Sequence, residues 1–287
     1  MPIIKSYPFY TGYNARLFPH NWRPLREELA FARKHGFNAL QIRRDDSVID
    51  EHHLGDSFLD ISRLMRKNSL IPTVELVMHL DENCRTPGGV MPLELFEANL
   101  PAIQALNSAL VHWHLVPLPG CSPTAAAAME RSLVAQFAAG VATAQIYGIQ
   151  LCFEHNEPDI FLYSTPQSCQ ALLDQVPDLM FVWDLNHTHP DHLPGFLDLA
   201  PRMRMLHLSD ALLPAVNHHL PLGLGTIDFE AYIRPLLKAG FTGPAILEIG
   251  GLPKSGGLGR DSDEALLDSL KRFKRIVDRC LDPNQPQ

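Results

Sequence analysis

Ile149-Gln-Leu-Cys-Phe-Glu154 and Leu179-Met-Phe-Val-Trp-Asp184 are two apolar runs, each closed by a carboxylate, with a helix-like stretch at 166–175 between them. A run of four to eight residues, rich in β-branched and aromatic side chains and without polar alternation, suits a strand buried on both faces. Strand, helix, strand in that order predicts two parallel strands joined by a right-handed crossover. The same unit recurs outward in both directions. Further runs lie at 39–42, 73–78, 109–116, 203–206 and 245–247, and helical stretches at 25–34, 58–67, 92–107, 124–147, 229–238 and 263–280. Gly36, Gly148 and Gly240 fit glycines that end helices, and Ser122-Pro123 and Thr165-Pro166 fit helix starts. With a first strand at 7–10 there are eight units of about 36 residues, which predicts one (β/α)8 barrel spanning residues 1–287. No G-x-G-x-x-G follows the first strand and no G-x-x-x-x-G-K-[ST] occurs, so a nucleotide-cradling loop is unsupported.

Composition narrows the function. The chain has 24 basic and 32 acidic residues, a net charge of -8, which opposes binding to a nucleic-acid duplex. Arg43 and Arg44 with Lys5 and Arg16 make only a thin candidate for a basic stripe. Hydrophobic residues make up 46% and the mean hydropathy is -0.05, enough for a sizeable core. The 24 prolines are scattered between apolar runs, as short turned connections require. Cys84, Cys121, Cys152, Cys169 and Cys280 are odd in number and widely spaced, which suits reduced thiols in the cytoplasm. No 18-residue apolar stretch and no apolar leader core appears, so the expectation is a protein that is neither secreted nor membrane-spanning. The tail from Asp282 onward is expected to fray.

Chemistry gathers where the late strands end. After these runs stand Glu154, Asp184 (with His187 three residues on), His207 and Glu248. In a (β/α)8 barrel all strand C-termini open on one mouth, so four residues distant in sequence are expected to converge. Their joint burial is very costly without a cation or paired charges. Three carboxylates and one imidazole suit Mn²⁺, Mg²⁺ or Co²⁺ better than Zn²⁺.

The runs His207-Leu-Ser-Asp210, Pro221-Leu-Gly-Leu-Gly-Thr-Ile-Asp-Phe229 and Gly243-Pro-Ala-Ile-Leu-Glu248, with Asp184-x-x-His187, resemble the xylose isomerase-like TIM-barrel superfamily. That superfamily holds sugar phosphate isomerases and epimerases, ketose 3-epimerases, inosose dehydratases and endonuclease IV-type abasic-site nucleases. The resemblance implies Glu154, Asp184, His207 and Glu248 as ligands of one divalent metal. It also implies Glu154 and Glu248 as acid and base on opposite faces of a sugar carbon, and His187 as a substrate contact. The chain departs from the pattern at three places. Gln41 stands where a strand-two glutamate is usual, Gly223-Leu224-Gly225 replaces Gly-Glu-Gly, and Asn217-His218-His219 occupies the region of a substrate-binding arginine.

Other histidines and one arginine complete the candidate set. His79 ends strand three, and His112 and His114 flank Trp113, with His114 nearer the mouth. His219 resembles the histidine that completes a three-metal cluster in the endonuclease branch, but Asn217 is a poor ligand. His79, His114 and His219 are therefore read as substrate contacts or hydrogen-bonded residues. Arg43 is read either as a contact for an anionic substrate group or as a salt bridge, and alternation allows only one of Arg43 and Arg44 to face the mouth. Trp113, Phe153 and Trp183 read as core, and His52, His53, His189 and His192 as loop residues. The expected function is a metal-dependent sugar or sugar-phosphate isomerase or epimerase, acting on a small sugar or polyol through an enediolate. The alternatives are an inosose-type dehydratase, an endonuclease IV-like phosphodiesterase and a non-catalytic barrel. A homo-oligomer is compatible with every one of them.

Overall fold

Eight parallel strands form the frame: β1 (Tyr10–Tyr13), β2 (Ala39–Asp45), β3 (Ile71–Leu80), β4 (Leu110–Pro117), β5 (Gln150–Glu154), β6 (Met180–Asp184), β7 (Met203–Leu208) and β8 (Pro244–Leu247). The computed structural model describes residues 8–18, 21–67, 69–250 and 262–282. From β2 to β8 each strand pairs with the next in sequence, and β1 pairs with β8. Only the β1–β2 seam lacks a full ladder. It is bridged by Asn38 N–H donating to Thr11 O (3.0 Å) and Ala15 N–H donating to Gln41 O (2.9 Å), so the sheet is a nearly closed barrel. Between the strands run α1 (Leu25–His35), α2 (Glu51–Leu54), α3 (Phe58–Lys67), α4 (Pro92–Ala105), α5 (Pro123–Ile146), α6 (Pro166–Gln175), α7 (Leu193–Asp198), α8 (Phe229–Lys238) and α9 (Asp263–Leu281). Among the described residues no helix is long and apolar enough to cross a membrane.

Local chemistry explains the boundaries. The Ser122 hydroxyl accepts from Ala125 N–H at the start of α5, and Thr165 accepts from Ser168 N–H at the start of α6. Gly36, Gly148 and Gly240 follow α1, α5 and α8 with φ of 75°, 68° and 78°. Two expectations shift. Among the described residues, pairing of the first strand begins at Tyr10, opposite Pro244. Pro8 has no N–H to give a ladder, and the expected start at Tyr7, like Lys5 and the tail 283–287, lies outside the described residues. His52 and His53 are not in a loop. They sit in the single turn of α2, capped by Asp50, whose carboxylate accepts from His53 N–H.

Side-chain alternation divides the barrel in two. The outward set, including Trp113, Phe153, Phe181 and Trp183, is buried beneath the helices in the main core, with Trp113 stacked on Phe137 of α5 at 5.1 Å. The inward set starts with a separate apolar floor of Ala39, Cys152, Val182, Met205 and Ile246. Two residues further along the same strands, hence on the same face, stand Gln41, Glu154, Asp184, His207 and Glu248. The floor thus shuts the lower barrel against water and leaves the polar layer at the mouth.

The seam constrains Gly12 of β1. A Cβ there would lie 2.7 Å from the Ala39 carbonyl oxygen and 2.7 Å from Ile246 Cδ1. Backbone cannot yield as a flexible side chain can. Gly12→Ala is expected to cost about 1–3 kcal/mol, and Gly12→Val more, read as a lower denaturation midpoint in urea. A midpoint equal to wild type for both variants would show that the seam is not closely packed.

Candidate metal centre

Glu154 and Asp184 are the last residues of β5 and β6, His207 is the penultimate residue of β7, and Glu248 directly follows β8. The strand register places Asp184 beside His207, and the ligating atoms of all four residues lie within 4.8 Å of one another. Asp184 and His207 are fully buried, and Glu154 and Glu248 nearly so.

The contacts within this set are close but are not hydrogen bonds. His207 Nδ1 is 2.8 Å from Glu248 Oε2 and 3.2 Å from Glu154 Oε1. Even so, His207 Nδ1, both Glu154 oxygens and Asp184 Oδ2 have no hydrogen-bond partner. Asp184 Oδ1, by contrast, accepts from Asn186 N–H at 2.7 Å, which leaves Oδ2 facing the cluster. Adjacent donors around an ion at about 2.1 Å stand about 3.0 Å apart in an octahedral shell. Lone pairs aimed at a shared point with that spacing fit a divalent cation. The electrostatics agree: burial alone lowers the His207 imidazole, but Glu154 and Glu248 hold it well above its ordinary value. Burial also raises the Asp184 carboxyl, against the pull of His187 and His219. Both directions mark a chamber short of positive charge.

The remaining candidates fall at different heights. His187 donates from Nδ1 to His155 O (3.1 Å) and turns Nε2 toward Asp184 Oδ2 (3.4 Å). His219 donates from Nδ1 to Glu248 O (2.8 Å) and groups with Asp184 and His187. His114 is held through Nε2 by Asn156 Oδ1 (3.1 Å), while Nδ1 faces Glu75 (3.5 Å) and Glu154 (3.6 Å). Burial lowers that imidazole, but Glu154 and Glu75 prevail and raise it to about 9. His79 is not brought to this cluster. It sits on the rim, with Nδ1 and its backbone N–H both 2.7 Å from the Asp46 carboxylate. Arg43 faces the mouth, its guanidinium bonded to Asp45 and lying 3.6 Å from Glu75 and 3.9 Å from Glu248. Arg44 turns away to Val48 O and His53. Asn217 donates to Glu157 Oε1, and Arg16 pairs with Asp263.

Four functional neighbours were not assigned roles from sequence. Glu75 is wholly buried in mid-β3, and His112 in β4 places Nε2 3.2 Å from Glu154 Oε2. Gln41 and Asn14 are buried at the β1–β2 seam and hydrogen bond to His207 and Glu248. A signal was present for two of them. Glu75 is a carboxylate inside the apolar run Thr73-Val-Glu-Leu-Val-Met78, and His112 shares the inward parity of His114.

Comparison with known proteins accords with this architecture. The family model described as xylose isomerase-like TIM barrel matches residues 29–281. No curated protein matches the chain by sequence. Among solved structures, the IolI protein with a bound zinc atom is 17% identical with a TM-score of 0.76, covering 96% of this chain and 100% of that one. A D-tagatose 3-epimerase-like protein is 17% identical with a TM-score of 0.69, at 96% and 100% coverage. D-psicose 3-epimerase from Clostridium cellulolyticum H10, solved with D-tagatose, is 15% identical with a TM-score of 0.70, at 94% and 99%. With the match extending over most of the chain, the protein belongs to the xylose isomerase-like TIM-barrel family.

Proposed function

We propose that the protein is a divalent-metal-dependent isomerase or epimerase of a small sugar or polyol, moving a proton at carbon through an enediolate. The observation that carries this reading is the buried set Glu154, Asp184, His207 and Glu248, whose donor atoms, unpartnered in the first three, share one focus. The neighbours solved as 3-epimerases, or with zinc bound, support it at the level of fold. One ion is expected, with Mn²⁺, Mg²⁺ and Co²⁺ favoured by the oxygen-rich donors and Zn²⁺ also tested.

An ion held there would polarise a ketose carbonyl and the neighbouring hydroxyl, acidifying the C–H between them. This chain's own groups then do the proton work. Burial raises both glutamates, yet the histidines outweigh it: His114 and His207 hold Glu154 well below its ordinary value, and His207 holds Glu248 below its own. Both are therefore ionised at neutral pH, so either could take a proton from carbon; return of a proton on the other face needs the second glutamate to have first taken one up from solvent at the open mouth. His187 and His114 face the same space and are placed to contact substrate hydroxyls. His79 and His219 are assigned to substrate positioning, and Arg43 to the substrate's oxygens beside Glu248. The apolar floor excludes water from below, which slows loss of the abstracted proton. One domain, a cytoplasmic setting suited to its five free thiols, and no nucleic-acid partner complete the reading.

Incubating the protein with Mn²⁺ and a panel of ketoses and inososes in D₂O should show deuterium entering one carbon position by NMR. A protein that binds metal but exchanges no proton in any of them would leave the non-catalytic barrel standing. Glu248→Gln should keep the fold and lower kcat about 10²–10⁴-fold with KM little changed. Wild-type turnover would remove Glu248 from the acid–base pair. Metal at 100 times its Kd should stabilise the fold by about 2.7 kcal/mol, seen as a raised Tm that EDTA reverses. Metal analysis should return one ion per chain, and cleavage of abasic DNA should be absent. Three ions with such cleavage would promote the phosphodiesterase.

A further inference from the structure

Gln41 lies fully buried in β2, under the ligand set, and touches three different systems at once. Its Nε2 donates to Asn14 Oδ1 at 2.7 Å and to Glu75 Oε2 at 3.0 Å. Both neighbours present acceptor oxygens, so the amide has one orientation, with Oε1 turned toward His207 Nε2 at 3.0 Å. A carbonyl oxygen only accepts. His207 must therefore carry its hydrogen on Nε2, which frees Nδ1 for the focus shared with Glu154, Asp184 and Glu248. The same amide acts on a second ligand. With Asn14 Oδ1 occupied by Gln41, the Asn14 Nδ2 is fixed as a donor toward Glu248 Oε1. That bond leaves Glu248 Oε2 as the oxygen beside His207 Nδ1.

We propose that Gln41 is the positioning residue of the metal centre: through His207 it sets which ring nitrogen faces the ion, and through Asn14 it sets which oxygen of Glu248 does. The proposal rests on the metal reading above and adds to it a single device that controls two of the four ligands. A glutamate at 41 still accepts from His207 Nε2 but has no N–H for Asn14 Oδ1. Asn14 would then reverse, donating to residue 41 and turning its oxygen on the Glu248 carboxylate. A glutamate there would also stand against Glu75, whose charge the Gln41 amide now accepts without repulsion. In this chain the negative charge is on β3 and the neutral, two-sided connector on β2.

The test reads the His207 ring by ¹⁵N NMR in metal-free and Zn²⁺-loaded protein, together with Zn²⁺ affinity by competition with a chelator. Wild type should show a slowly exchanging Nε2–H in both states and coordination through Nδ1 when loaded. Gln41→Leu should lose the slow exchange of Nε2–H and bind Zn²⁺ about 10–100-fold more weakly. Gln41→Glu should restore the protected Nε2–H while Asn14→Ala leaves it untouched, since only the Glu248 branch is cut. Coordination through Nε2 in wild type would overturn the proposal, as would a Gln41→Leu protein with an unchanged ring signal and wild-type affinity. Should Gln41→Leu not fold, the wild-type spectrum and Gln41→Glu decide the question alone. The two readings fail separately. A Gln41-dependent ring signal in a protein that moves no proton on any sugar would sink the isomerase and keep the positioning role.

Discussion

Four carboxylates, Glu75, Glu154, Asp184 and Glu248, are packed into one chamber that the barrel almost closes to water. Charges so placed repel strongly, and everything around them supplies positive potential or fixes a donor. Arg43 reaches in from β2, and burial does not prevent Glu75 and Asp45 from raising its guanidinium further. His114 and His207 stand between carboxylates with bare or protonated Nδ1. The divalent ion proposed for the shared focus would be the remaining counter-charge, and it would take the place of the proton on His207.

Strand parity turns that need into architecture. Cys152, Val182, Met205 and Ile246 fill the floor, and two positions on from each stand Glu154, Asp184, His207 and Glu248. The intervening residues, such as Phe153 and Trp183, look outward and bind the helices. A one-residue slip in β5 or β6 would bury a carboxylate among helices and put an aromatic ring at the focus, and in β7 or β8 it would put a leucine there. Register is therefore held by the same alternation that builds the site.

The two glutamates are not equivalent. Glu248 has one oxygen tied to Asn14, while neither oxygen of Glu154 has a hydrogen-bond partner. Glu154 also has four imidazoles around it, those of His112, His114, His187 and His207, and His114, His207 and His112 outweigh burial and keep it ionised. One tethered carboxylate and one untethered carboxylate make an asymmetric pair.

The sequence by itself determined the parallel barrel, because buried parallel strands must be apolar throughout and crossover helices must be amphipathic. Those patterns are local and survive in a linear reading. It also put Glu154, Asp184, His207 and Glu248 at one mouth, since each closes or directly follows an apolar run and strand ends share a side. Only the tertiary structure decided what surrounds them. Gln41 and Asn14 meet across the β1–β2 seam, and Gln41 meets His207 across 166 positions of chain, contacts that no spacing encodes. Glu75 was hidden in an apolar run because one carboxylate does not change its period. His79 ends its strand as the others do, yet Asp46, in a left-handed turn at φ 50°, holds it at the rim. Strand ends can be read along the chain, whereas hydrogen-bond partners depend on which strands become neighbours when the barrel closes.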